Sequence, residues 1–153
     1  MGENFKTLDL GVDEFGEEVM KAVITYVNTL KKRGLKIRSI VVFGSRARGD
    51  YKPWSDVDIL VIAENLPKSK RWEILWVGEV EPRGYTPREF LKALWKLDMT
   101  ALDACYEGKV IYDDGFWKSA MKEFEKVKKK YMLKKLDDGW EIRNLPPHIG
   151  KTS

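Results

Sequence analysis

The chain has 153 residues, 43% of them hydrophobic, with a net charge of +4 and a pI near 9.0. That length suits one domain able to bury its own core, and a single cysteine, Cys105, excludes an internal disulfide. No apolar run reaches the roughly 20 residues of a membrane span, because the longest candidate, Ile37 to Ile62, is broken by Arg46, Arg48, Asp50, Asp56 and Asp58.

The first predicted element is a helix over Asp13 to Arg33, where Val19, Val23, Val27 and Leu30 share one face and Gly34 supplies the stop. Leu35 to Phe43 ends in Ile40-Val41-Val42-Phe43 and reads as a strand buried on both sides. Gly44 to Ser55 is a connection with a short helix starting at Ser45, and Asp56 to Ala63 is a second strand. After a break at Pro67 to Lys70, alternation predicts a third strand over Arg71 to Glu81. It places Trp72, Ile74 and Trp76 on one face and Glu79 and Glu81 on the other. Thr86-Pro87-Arg88-Glu89 is a capping box opening a helix through Leu97. A short helix from Thr100 to Gly108, an edge strand over Lys109 to Tyr112 and a last helix over Phe116 to Leu136 follow. The expected fold is α+β: a small mixed sheet of three to four strands with helices packed on it in two layers. Residues 1–136 form the domain, and 137–153, with Gly139, Pro146, Pro147 and Gly150, form an extended C-terminal tail.

The informative chemistry lies between the first two strands. Asp56 and Asp58 are two apart on a strand, so both carboxylates face one way, about 6.5–7 Å apart at the backbone. Like charges leading into an apolar face destabilise it unless something compensates. Magnesium, which one or two carboxylates hold together with substrate phosphates, would do so. Directly after the preceding strand, Gly44 allows close backbone approach to a ligand. Ser45 adds a hydroxyl donor at a helix start, and Arg46 and Arg48 add charge that phosphates favour. A phosphate cradle and a pair of metal ligands at one sheet edge describe a site for a metal–triphosphate complex. The bland alternative is an ion network joining Asp56 and Asp58 to Arg46 or Arg48.

Gly44-Ser45, ten residues, then Asp56-Val57-Asp58 resembles the motif of the DNA polymerase beta superfamily. The run from Gly44 to Gly49 is especially similar to the minimal nucleotidyltransferases. The motif covers about residues 40 to 63, and a looser likeness in element order runs to about residue 97. The resemblance implies transfer of a nucleoside monophosphate, AMP foremost, from a nucleoside triphosphate to a hydroxyl. It implies Mg²⁺ held by Asp56, Asp58 and a third carboxylate from a later strand. Glu81 is preferred to Glu79 for that place, since it lies shortly before the Tyr85-Thr86-Pro87 helix start. The family uses Asp there, and the extra methylene of Glu moves the carboxylate by about 1 Å, a shift that weighs on rate. Members of the minimal group are paired with HEPN-domain toxins, which makes a HEPN-domain protein the implied partner. The alternative is a catalytically weak or inactive nucleotide-binding module that neutralises a partner.

Other residues read more plainly. Cys105 sits in an apolar stretch as a buried thiol and fits a reducing cytoplasm, and Met1 to Leu10 does not read as a signal peptide. Cytoplasmic location is therefore expected. Zinc is disfavoured, since His148 is the only histidine. Lys126 to Lys135 reads as a solvated helix face, with RNA binding as the alternative. Tyr51 and Trp54 pack on the sheet edge or stack on a base. Asp50 and Asp103 read as surface or capping residues, and Trp140 as an anchor to the domain or to a second copy.

Overall fold

A computed structural model of the protein describes residues 6–145. The first helix, α1, spans Val19–Lys32, later than its apolar spacing suggests. Asp13 Oδ1 accepts the N–H groups of Phe15 and Glu17 at 2.9 and 3.0 Å, which closes residues 13–17 into a turn. Val12 then bridges Glu18 before the helix starts.

Strand β1 (Ile37–Phe43) pairs antiparallel with β2 (Val57–Ala63), with Phe43 opposite Asp58. Between them lies α2 (Ser45–Arg48), a single turn. Strand β3 (Val80–Tyr85) runs parallel to β2, and β4 (Lys109–Asp113) runs antiparallel to β1. The sheet order is β3-β2-β1-β4, a mixed four-stranded sheet in an α+β fold, as expected.

The helices cover both faces, so the arrangement has three layers rather than two. Ile40, Val42, Ile59 and Val61 pack under α1, while Val41, Leu60 and Ile62 pack against the helices of the other face. Strands apolar on both sides require such double cover. Fully buried side chains such as Phe90 and Leu60 each contribute about 1.5–3 kcal/mol of burial.

The strand expected over Arg71 to Glu81 is not there. Arg71–Leu75 forms a short helix, α3, and the strand begins at Val80. Tertiary contacts decide this. Leu75 is buried where Gly84 leaves room, since a Cβ on Gly84 would lie 2.3 Å from Leu75 Cδ1. Tyr26 and Arg33 of the α1 region donate to the carbonyls of Leu75 and Ile74, which terminates α3. Trp72 and Trp76 stack at 4.7 Å, one helical turn apart.

Helix α4 (Pro87–Trp95) opens on the anticipated capping box, with Thr86 and Glu89 bonded reciprocally. Helix α5 (Met99–Glu107) is capped by Asp98, whose side chain accepts the Ala101 N–H. Helix α6 (Phe116–Lys130) stops short of Leu136, and a hairpin of β5 (Leu133–Leu136) and β6 (Gly139–Ile142) replaces the start of the expected tail. Trp140 pins that hairpin down: its Nε1 donates to Asp103 at 2.9 Å, and its ring meets Phe124 and Tyr106 edge-on. Asp103 is therefore an anchor, not a spare surface charge. Lys126 and Lys128 pair along α6 with Glu123 and Glu125, each at 3.3 Å. Cys105 is buried, and burial pushes its thiol pKa up. Pro146, Pro147, His148 and Gly150 lie outside the described residues. Among the described residues, no helix is long and apolar enough to cross a membrane.

Candidate active site

The site forms where β1 ends, β2 begins and β3 runs alongside. Gly44 leaves β1 with φ +76° and ψ −159°, a conformation that favours glycine. A Cβ there would lie 2.2 Å from Asp58 Oδ2, so the absent side chain is what lets the turn close on the carboxylate. Antiparallel pairing explains the contact, since Phe43 faces Asp58. Helix α2 has only four residues, so the turn rests on its individual N–H groups rather than on a helix dipole.

Asp58 sits half-buried at the start of β2. Its pKa is raised from the ordinary 3.8 to about 6. Desolvation is the main cause; the guanidinium of Arg83 opposes it, Glu81 and Asp56 add to it, and Arg48 opposes it weakly. Parallel pairing sets Glu81 opposite Asp58 and Val80 opposite Val57. Glu79 falls before β3 and has no such partner. Of the two glutamates, Glu81 is thus the one that neighbours Asp58. Asp56 is exposed just before β2.

Asp56, Asp58 and Glu81 offer hard oxygen donors along one edge, and their mutual repulsion is what a divalent cation would relieve. Among the described residues, however, no three His, Cys, Asp or Glu side chains converge tightly enough to hold a metal alone. The set fits a cation that keeps water and phosphate oxygens among its ligands.

The two arginines of the motif part ways. Arg46, expected to meet phosphate, points inward and is 1% exposed. Its guanidinium donates to the carbonyls of Leu10, Val12, Lys52, Pro53 and Ser55, and lies 4.3 Å above the Tyr51 ring. All its donors are committed, so it stitches the N-terminal turn to the loop before Asp56 and has none left for a ligand. Tyr51 belongs to that packing. Arg48 is exposed and binds Asp50 at 3.2 Å and Glu107 at 2.9 Å.

Sequence reasoning missed two residues here. Glu107, at the end of α5, accepts from Gly44 N–H at 2.8 Å through the same oxygen that meets Arg48. Its carboxylate thus occupies two donors of the turn. Arg83 lies 3.5 Å from Glu81 and beside Asp58. No local pattern marks either one: Glu107 arrives from a distant helix, and Arg83 belongs to a strand placed differently in the sequence reading.

The nucleotidyltransferase domain family matches residues 23–138. The provisionally named protein adenylyltransferase MJ1305 of Methanocaldococcus jannaschii is 34% identical over 131 residues, 75% of this chain and 87% of that protein. A second so named from the same organism, MJ0604, is 50% identical over 46 residues, 29% of this chain and 45% of that protein. Among solved structures, a toxin–antitoxin with AMP-PNP aligns at 20% identity and a TM-score of 0.46, covering 71% of this chain and 86% of that one.

Proposed function

The chain belongs to the nucleotidyltransferase domain family, and from that premise we propose that it is a Mg²⁺-dependent adenylyltransferase acting on a hydroxyl of a protein. The observation that carries the reading is Asp58, set against the Gly44 turn on one side and opposite Glu81 on the other. A triphosphate laid on the turn would meet the Ser45 hydroxyl and the exposed Arg48, and its phosphates would approach the carboxylates only with a cation between them. When bound through Asp56 and Asp58, with Glu81 nearby, magnesium would neutralise phosphate charge and acidify the acceptor hydroxyl. The acceptor oxygen then forms a bond to the α-phosphorus, the bond to the β-phosphate oxygen breaks, and pyrophosphate leaves. The hydroxyl proton departs through the carboxylate edge to water. ATP as donor and a protein as acceptor are supported by the relatives provisionally named protein adenylyltransferases. On the family resemblance, the protein acceptor proposed is a HEPN-domain partner.

A second reading, nucleotide binding without turnover, is favoured by one observation: Glu107 already holds the Gly44 N–H and Arg48. Calorimetric titration of ATP with Mg²⁺, with pyrophosphate release followed in parallel in the presence of a HEPN-domain protein as acceptor, separates the two. The adenylyltransferase shows Mg²⁺-dependent binding and pyrophosphate release, both lost in Asp56→Asn/Asp58→Asn. Binding that ignores Mg²⁺ and survives the double substitution overturns the site.

A further inference from the structure

A cleft of about 320 Å³ opens on the outer side of the carboxylate edge, between the N-terminal turn, the loop before β2 and the segment leading into β3. Asp56 and Glu81 line it, so it reaches the reacting edge. Three large aromatics on its wall are left to water: Phe15 is 76% exposed, Trp54 69% and Trp76 41%. Apolar surface gathered around a concavity marks a contact for another molecule. Trp76 is held in place by its stack on Trp72, so part of this wall is built before anything binds.

Charge decides what the cleft accepts. Outside Asp56 and Glu81, which face the cation, its lining carries Asp13, Glu14 and Glu79, while its one basic side chain, Arg46, is sealed by five carbonyls. Those three carboxylates repel an RNA strand, whereas the Ser45 and Arg48 side suits phosphates. Carboxylates interleaved with exposed aromatics match Lys and Arg, which pair with the first and stack on the second.

We propose that this cleft seats the acceptor, as a basic protein segment whose hydroxyl is thereby presented to Asp56 and Glu81. This rests on the adenylyltransferase reading above.

Two fluorescently labelled peptides test it, identical around one hydroxyl residue but flanked by Lys and Arg in one and by Glu in the other. Binding is read by polarisation in the presence of Mg²⁺ and a non-hydrolysable ATP analogue, so it does not depend on turnover. The basic peptide binds, and Glu14→Gln/Phe15→Ala weakens it by about tenfold or more, the loss of one pairing and one stacking contact. Analogue affinity, measured by calorimetry, stays the same in that variant. Equal binding of both peptides, preference for the acidic one, competition by an RNA oligonucleotide, or indifference to the double substitution overturns the proposal. If the analogue itself fails to bind the wild type, the adenylyltransferase reading falls instead.

Discussion

Arg46 and Asp58 are both charged groups withdrawn from water near one sheet edge, and the protein treats them in opposite ways. Every donor of Arg46 meets a carbonyl, and an aromatic ring covers its plane. Asp58 loses water without such a shell: desolvation opposes its ionisation, Arg83 offsets only part of that, and Glu81 and Asp56 add to it. A buried charge with complete hydrogen bonding is structure. One that is desolvated and incompletely balanced is a place that something else completes.

The comparison breaks most sharply at Arg46. Replacing it with Ala strands several carbonyls and opens a void, so we expect a loss on the order of 4 kcal/mol and a fall of roughly 10 °C in Tm. Arg46→Lys recovers little, because one ammonium has about half the donors and no planar fork. Thermal unfolding of both variants checks this; a near-native Tm for Arg46→Ala would assign it to ligand contact after all.

Gly44→Ala comes next, at about 1–3 kcal/mol for the backbone conformation. Its larger consequence is on binding: the new methyl displaces the Asp58 carboxylate, so Mg²⁺-dependent ATP affinity falls while the fold survives. Calorimetry beside a melting curve separates the two effects.

The smallest effect has the opposite sign. Asp58 has a folded pKa of about 6, above its ordinary 3.8, so keeping it ionised costs folding energy. Below pH 4 it is protonated folded or unfolded and costs nothing; the penalty grows between pH 4 and 6 and is complete above that. With metal chelated, Asp58→Asn should therefore gain stability at pH 8, about 1–2 kcal/mol after allowing for solvent screening. That gain should shrink through pH 5 and vanish near pH 4. A variant less stable than wild type at pH 8 would mean that Asp58 has a structural partner, as Arg46 has.

Much of the fold could be read in advance because its signals are local. The apolar run Ile40–Val42 needed cover on both faces, although the expected two layers fell one short, and Thr86 with Glu89 marked the start of α4. The segment Trp72 to Trp76 failed because Trp72, Leu75 and Trp76 satisfy a helical face as well as Trp72, Ile74 and Trp76 satisfy a strand. Leu75 packing on Gly84 settled the matter, and residues far apart in the chain do not advertise such a contact. The end of α6 was misplaced for a similar reason: Trp140 docking on Asp103 folds the hairpin back.

The sequence alone determined that Asp58 opens an apolar strand, because strand periodicity is a property of the backbone, and that Gly44 precedes a turn. Tertiary structure decided the rest of the site. Parallel pairing chose Glu81 over Glu79 as the neighbour of Asp58. A long-range cage of carbonyls took Arg46 out of the ligand set, and the end of α5 brought Glu107 to the turn. Periodicity acts over a few residues and can be read along the chain. The partner of a charge is set by strand register and by helix packing, which exist only once the chain has folded.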